Sequence, residues 1–325
     1  LPATLGADAP YENMGTIQTK GWELAIDYRH TFKNGLHFGV TASVADDKTE
    51  VTKWTYNTKI PSYGATGWWD KSAYKEGMVL GDIWGLQFDR FLTEDDFNAD
   101  GSLKAGLPDQ TKVFPAGYQF APGDVLYKDL DNNGEIVKQT NTNDKGDLSV
   151  IGNALPRLQF GLNLDAAWKG FDISMFFQGV AKRKLWAAGN QVLPGFTTGE
   201  PFYKGAEDYW TPENTDAFYP RPMDYKQSAS GNYSVNDRYL LNMAYLRLKT
   251  FTVGYSLPKV WLSKFKVQGL RVYFTGENLF TIDGVKPAID PEIGIRTASG
   301  KSDQRNFGRS YPYQKTVSFG IQLSL

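Results

Sequence analysis

Alternation with a period of two, sustained over a dozen residues, constrains this chain more than any other feature. Between Arg157 and Lys169, the residues Leu158, Phe160, Leu162, Leu164, Ala166 and Trp168 fall on one side, while Gln159, Asn163 and Asp165 fall on the other. Successive side chains of a strand point to opposite faces, so such a run is an extended strand with one greasy and one polar face. The pattern recurs at Gly21–Arg29, where Trp22, Leu24, Ile26 and Tyr28 oppose Glu23, Ala25, Asp27 and Arg29, and again from Leu36 to about Ala45. Further runs lie at Phe171–Gln178, Met243–Leu257, Leu270–Thr281 and Thr316–Leu325. In Met243–Leu257 the phase slips. Leu246 and Leu248 do not match Phe251, Val253, Tyr255 and Leu257, which predicts a bulge near Lys249–Thr250. Lys33-Asn34-Gly35 and Lys169-Gly170 are turn signals, because tight hairpins need residues that accept positive φ.

Strand length then separates two architectures, a soluble all-β protein and an outer-membrane β-barrel. Soluble strands average about 5–6 residues, whereas a tilted membrane strand needs about 9–11, and several runs here reach that length. The polar face carries Glu23, Asp27, Arg29, Asp165, Arg271 and Glu277, which suits a water-filled lumen. A mean hydropathy of −0.43 does not exclude a barrel, since a barrel strand shows lipid only every second residue. No uninterrupted run of about 18 apolar residues exists, so no transmembrane helix is expected. The first ten residues, LPATLGADAP, lack the pattern of a signal peptide. Zero cysteines remove disulfide frameworks, thiolate zinc sites and thiol catalysis, and His30 and His37 are the only histidines. With 35 basic and 36 acidic residues, nothing argues for a nucleic-acid partner.

Connection lengths alternate too. Short turns fall at Lys33–Gly35, Lys169–Gly170 and Pro258–Gln268; long loops fall at about 46–79, 185–240 and 283–311. In an outer-membrane barrel the short turns face the periplasm and the long loops face outside, and here each connection takes the side its length demands. The stretch Leu80–Ile151 leaves a choice. Gly81–Thr93 and Gly123–Asp129 read as two more strands with a helical turn at Glu94–Phe97 between them, and both belong to the wall or neither does. The wall then has nine strands or seven. Either number is odd, whereas closed single-chain bacterial barrels have even numbers, and an open sheet in lipid leaves backbone groups unpaired. The expectation is an all-β chain forming the C-terminal portion, about seven to nine antiparallel strands, of a larger transmembrane barrel.

A series of motifs in fixed order resembles the SusC/RagA family of TonB-dependent outer-membrane transporters. Asn13-Met14-Gly15 followed by Lys20-Gly21-Trp22-Glu23-Leu24 is similar to the family's entry into a strand. Pro122-Gly123-Asp124 with Asp129-Leu130-Asp131-Asn132-Asn133-Gly134, then Ile151-Gly152-Asn153 and Pro156, resemble its central segments. Tyr209-Trp210-Thr211-Pro212-Glu213-Asn214 and Tyr219-Pro220-Arg221 follow, then Tyr245–Lys249, Gly254–Pro258, Glu277–Phe280 and Asp290-Pro291-Glu292. Leu325 departs from the aromatic that usually closes such barrels. The resemblance spans residues 1–325 and implies a barrel of about 22 strands, whose plug and earlier strands are expected outside this chain. It implies import of a large nutrient, an oligosaccharide or oligopeptide, across the outer membrane of a Gram-negative bacterium. The implied partners are a SusD-like surface lipoprotein, TonB acting through the N-terminal part, outer-membrane lipid, the remainder of the barrel and the glycan or peptide itself. No enzyme activity and no cofactor are required. A soluble glycan-binding β-sandwich and a passive porin-type channel are the alternatives.

Two sets of residues are candidates for binding. Asp129, Asp131, Asn133 and Gly134 match the first half of a calcium loop, in which alternating oxygens converge on a hard cation and glycine permits a sharp turn. Thr140 holds the twelfth position, so the distal acid is assigned to Asp147 by the resemblance, with Asp144 as the other contender. A structural Ca²⁺ would stiffen the loop; the plain alternative is an Asx-rich loop capping its own backbone. Among loop aromatics, Trp54, Trp68, Trp69, Trp186, Tyr203 and Trp210 are the ligand-binding candidates, with Tyr209 and Tyr219 beside them; packing of the loops on themselves is the competing role. The neighbouring acids Asp95/Asp96 and Glu207/Asp208 read as loop surface, not as glycosidase carboxylates.

Overall fold

The computed structural model describes residues 13, 15–55, 76–138, 145–187, 189–196, 202–223, 231–263, 267–286, 289–292, 297–298, 301–302, 311 and 313–324. The strands are β1 (Gly15–Thr31), β2 (His37–Trp54), β3 (Asp82–Gly85), β4 (Phe88–Phe91), β5 (Val125–Tyr127), β6 (Ser149–Asn153), β7 (Arg157–Trp168), β8 (Phe171–Lys182), β9 (Lys184–Leu185), β10 (Leu241–Asn242), β11 (Tyr245–Ser256), β12 (Gly269–Glu277), β13 (Thr281–Asp283), β14 (Thr297–Ala298), β15 (Lys301–Ser302) and β16 (Thr316–Ser324). A one-turn helix, α1 (Lys259–Leu262), lies between β11 and β12.

Seven strands form one antiparallel wall in the order β1-β2-β7-β8-β11-β12-β16, with β13 also paired to β11. Register carries the alternation across the whole wall. Tyr28, Val40, Leu164, Met175, Phe251, Gly276 and Val317 form one continuous row. Asp27, Thr41, Asn163, Phe176, Thr250, Glu277 and Thr316 form the neighbouring row on the opposite face. One residue of slip would move a strand's apolar set to the wrong face. The register shift between Leu248 and Thr250 therefore leaves Lys249 as the bulged residue and restores the phase, as the sequence predicts.

Turn chemistry fixes the hairpins. Lys169 and Gly170 both have positive φ, 47° and 89°, as a two-residue hairpin requires. A Cβ on Gly170 would also lie 2.7 Å from the Ser256 carbonyl oxygen. In the first hairpin Gly35 has φ 80° and the Asn34 side chain accepts a hydrogen bond from the Leu36 N–H. At the start of β7, Leu158 takes φ 52°, and the Asp46 carboxylate accepts from its N–H (3.1 Å) and from the Arg157 guanidinium.

Among the described residues, the greasy face of the wall is exposed on its edge strands β1 and β16. Trp22, Leu24, Ile26 and Tyr28 on β1, and Val317, Phe319, Ile321 and Leu323 on β16, are exposed, Phe319 at 83 % and Ile321 at 73 %. Exposing a large apolar side chain to water costs about 1.5–3 kcal/mol, so eight of them would cost on the order of 10–20 kcal/mol, as much as the stability of a whole domain. A β-sandwich would cover this face with a second sheet; among the described residues none does. The described residues also contain no helix long and apolar enough to cross a membrane.

The middle segments stay out of the wall: β3 pairs with β6 and β4 with β5 in two small sheets, so the count is seven. Two expected boundaries also move. β1 begins at Gly15, and β2 continues to Trp54 instead of ending near Ala45. The ladder from Gly15↔Trp54 to Gly21↔Asp47 is built largely of polar pairs such as Thr19–Thr49 (2.9 Å), which carry no apolar alternation to read. At about 3.3 Å per residue the 17 residues of β1 span more than ~30 Å, the thickness of a bilayer's hydrocarbon core, even when tilted. The first long loop accordingly starts after Trp54 and runs to Pro156.

The buried core sits in the long connections. One cluster holds Ile83, Leu185, Trp186, Leu193, Tyr219, Tyr239 and Met243; a second holds Leu86, Phe91, Val125, Tyr127, Leu148 and Trp210. The wall is thus a single sheet, and the packed, protein-like interior belongs to its loops.

Candidate functional site

The chemistry-bearing residues gather where the long connections pack together. Just past β5, the backbone turns sharply through Asn132 (φ 59°) and Gly134 (φ 85°). The carboxylates of Asp129, Asp131 and Asp147 converge there, with one oxygen of each within 4.8 Å of the others. Asp147 is fully buried and accepts from the Leu130 N–H (2.7 Å) and the Val137 N–H (2.8 Å), which locks the far side of the loop to the near side. Asp129 accepts from the Gly134 N–H through one oxygen, while its other oxygen is buried without a hydrogen-bond partner. Burial and the charges of Asp147 and Asp129 push the Asp131 carboxyl up. Burial pushes Asp129 up as well, but backbone N–H donors from Gly134, Asn132 and Asn133 bring it below the ordinary carboxylate value. An orphaned carboxylate oxygen amid three converging acids fits a hard cation. Asn133 lies beside them, its Oδ1 occupied by the Glu135 N–H (2.7 Å) and its Nδ2 donating to Asp131 (3.0 Å). Asp144 lies outside the described residues.

A second hub explains why two motifs far apart in sequence occur together. The fully buried Asp124 accepts from the Tyr118 hydroxyl (2.9 Å), the Ala121 N–H (2.9 Å), the Asn232 amide (2.9 Å) and the Arg221 guanidinium (2.8 and 3.2 Å). Burial and the nearby Asp124 charge push the Tyr118 hydroxyl well above its ordinary pKa. Gly123 has φ 90°, and a Cβ there would lie 2.5 Å from the Trp210 ring. Pro122-Gly123-Asp124, Trp210 and Arg221 are therefore one knot.

A third cluster joins β11 to the last long connection. Arg247, only 4 % exposed, pairs with Asp290 (2.7 Å) and Glu292 (3.2 Å), and Lys249 pairs with Glu292 (2.7 Å). Asp290 also accepts from the Glu292 and Tyr313 N–H groups (3.0 and 3.1 Å).

Beside the second hub opens an aromatic cavity of about 480 Å³, lined by Pro194, Phe202, Tyr203, Lys204, Glu207, Tyr209, Tyr219, Pro220, Pro222 and Tyr233. A 3₁₀ turn at Lys204–Ala206 supplies part of its lining. Such a mostly apolar hollow with a few polar groups is the ordinary form of a small-ligand site. Of the aromatics singled out from the sequence, Tyr203, Tyr209 and Tyr219 line the cavity. Trp186 and Trp210 do not: both are buried in the loop clusters, where they pack the connections together. Trp54 ends β2 with its ring over Gly15, and Trp68 and Trp69 lie outside the described residues. Phe202, Lys204, Glu207, Pro194 and Pro222 were not legible as lining; their one sequence signal is their nearness to Tyr203 and to Tyr219-Pro220-Arg221. Asp96 caps its own turn, accepting two hydrogen bonds from Arg90 (2.6 and 2.7 Å) and one from the Thr93 N–H (2.7 Å), so it is no glycosidase acid.

No family model matches the chain. TonB-dependent receptor P3 of Formosa agariphila is 26 % identical over 335 residues, covering 99 % of this chain and 30 % of that receptor. TonB-dependent receptor SusC of Bacteroides thetaiotaomicron is 22 % identical and covers 97 % of this chain and 27 % of that protein. Among solved structures, that of the RagAB peptide transporter superposes with a TM-score of 0.61 at 18 % identity, over 99 % of this chain and 31 % of that chain. Over nearly its whole length the chain is thus similar to TonB-dependent receptors, SusC among them, and shares the fold of the RagAB transporter. It spans about 30 % of the receptor P3 and holds part of a barrel. The SusC/RagA-like relatives are receptors and transporters by name, not enzymes.

Proposed function

We propose that the chain is the C-terminal wall and loop portion of an outer-membrane, TonB-dependent importer of a large nutrient, working with a SusD-like surface lipoprotein. The single observation that supports this most is the apolar face kept in register across the seven-stranded wall and exposed on its edge strands β1 and β16, while the packed cores lie in the loops. Lipid covers that face, the polar face lines the lumen, and the loops stand outside the cell. The aromatic cavity at Tyr203 and Tyr209 is the ligand contact of this portion: tyrosine rings and proline faces stack on a sugar ring or a peptide side chain, and Lys204 and Glu207 hydrogen-bond its polar edge. Asp129, Asp131 and Asp147 hold a structural Ca²⁺, with Asn133 beside them, and its charge relieves their mutual repulsion.

The test is uptake of labelled oligosaccharide and oligopeptide pools by cells carrying the complete receptor, with and without TonB and the lipoprotein. The expected result is accumulation of one pool only when both are present. Accumulation independent of TonB would establish the passive channel instead. Tyr203→Ala with Tyr209→Ala is expected to weaken uptake at low ligand concentration while leaving receptor abundance unchanged.

A further inference from the structure

The turn between β11 and β12 is built unlike the other two short turns. Lys33–Gly35 and Lys169-Gly170 are polar, tight and shaped by positive φ. The third is a one-turn helix, α1, that begins after Pro258 and presents Val260 at 78 % exposure and Trp261 at 61 %. A turn bathed in water gains nothing from two such side chains, whose exposure costs about 1.5–3 kcal/mol each. The helix is not frayed chain. Leu262 is buried, Trp261 N–H donates to the Pro258 carbonyl (3.0 Å), and the flanking Leu257 N–H donates to Leu270 (2.9 Å). Val260 and Trp261 are therefore held in place while exposed.

Their surroundings indicate what covers them. Leu257 and Leu270, which bracket the turn, carry the greasy row of Tyr255, Val272 and Ile321 one step further, where Leu270 pairs with Leu323. The Tyr255 ring lies 4.5 Å from the Phe171 ring, and Trp168 carries the Lys169 ammonium 4.5 Å from its centroid. This end of the wall thus has a belt of aromatics with cations at its rim, and α1 extends it by one further turn with Lys259 alongside. Trp is favoured where hydrocarbon gives way to head groups, because its ring is apolar and its N–H seeks a polar partner.

We propose that α1 is a membrane-interface foot: Val260 and Trp261 insert among the phospholipid head groups of the leaflet on the short-turn side, with Lys259 toward the phosphates. The foot rests on the outer-membrane reading above, and it fixes the depth and tilt of the last three wall strands. Because this chain has no cysteine, single labels are clean. The complete receptor, with any cysteine outside this portion replaced by serine, is reconstituted in phosphatidylethanolamine/phosphatidylglycerol vesicles. It carries a bimane fluorophore at Val260→Cys, Ile321→Cys or Lys33→Cys, and quenching by phospholipids brominated near the head group or deep in the chain is compared. The expected result is that label 260 is quenched several-fold more by shallow than by deep bromine, label 321 by both, and label 33 by neither. If label 321 is quenched and label 260 behaves like label 33, the foot is overturned and the barrel stands. If label 321 escapes quenching, the membrane reading fails and the foot with it. If label 260 is shielded from bromolipid and from aqueous iodide alike, protein covers the turn and the proposal is wrong. Should Val260→Cys not yield folded receptor, Lys259→Cys gives the same three-way comparison at the adjoining position.

Discussion

Asp124 shows how much one side chain decides in the loop layer. Its fully buried carboxylate collects the Tyr118 hydroxyl, two backbone or amide donors and two nitrogens of Arg221. Asp124→Ala strands a partly buried guanidinium, and breaking a buried pair by removing one partner costs about 3–5 kcal/mol. The expected readout is loss of hydrogen-exchange protection at the Arg221 amide, which donates to Gly123, and at the Trp210 amide, which donates to Tyr219. Unchanged protection at both would show that the hub is dispensable. Asp290 ties the last long connection to β11 through Arg247. Burial pushes its carboxyl up, but the hydrogen bond from Arg247 and the Glu292 and Tyr313 N–H groups outweigh burial, so its pKa lies below the ordinary value. A carboxyl with a lowered folded pKa contributes stability above its unfolded pKa, and that contribution is lost as pH falls through the folded value. Exchange at the Glu292 and Tyr313 amides is thus expected to accelerate only in acid below the ordinary carboxylate range, beyond the intrinsic pH trend. Asp290→Asn should abolish that acid step.

Elements were legible to different depths, for a physical reason in each case. The wall strands announced themselves because one face is apolar and the other polar, and the bulge at Lys249 was visible as a phase slip. The upper halves of β1 and β2 were not visible, since a ribbon held by polar cross-strand pairs leaves no apolar period. Gly81–Thr93 and Gly123–Asp129 could be assigned neither to the wall nor to the loops, because short apolar strands read alike whether they pair in a wall or in a loop. For the loop aromatics the sequence left ligand contact and loop packing as competing roles, and only the burial of Trp186 and Trp210 in the loop clusters assigns those two to packing. The acidic loop was found by the spacing of Asp129, Asp131 and Asn133, whereas the distant Asp147 came from the family resemblance and not from spacing. Chelating divalent metal from the complete receptor is expected to speed exchange of the Leu130 and Val137 amides and to expose 129–137 to protease, with Ca²⁺ restoring both. No change on chelation would leave the loop an Asx-capped turn without an ion. At the β7–β8 turn, Gly170→Ala forces a Cβ onto the Ser256 carbonyl at positive φ, a strain of about 1–3 kcal/mol. A lower midpoint in the heat-induced gel-mobility shift of the folded barrel is the expected outcome; an unshifted midpoint would mean that the turn relaxes.

For the molecule as a whole, the central claim is that hydrocarbon covers one face of a seven-stranded sheet and water the other. Every other assignment follows from it: the loop layer outside, the ligand cavity in that layer, the lumen on the polar face, the aromatic belt at the short-turn end. The most direct measurement walks a nitroxide label, one cysteine at a time, along Thr316–Ser324 of the complete receptor in lipid vesicles. Accessibility to oxygen is compared with accessibility to a water-soluble nickel chelate. Labels at positions 317, 319, 321 and 323 are predicted to favour oxygen and those at 316, 318, 320 and 322 the nickel chelate, giving a two-residue oscillation. A flat profile, or nickel access at 319 and 321 equal to that at 318 and 320, would contradict the claim.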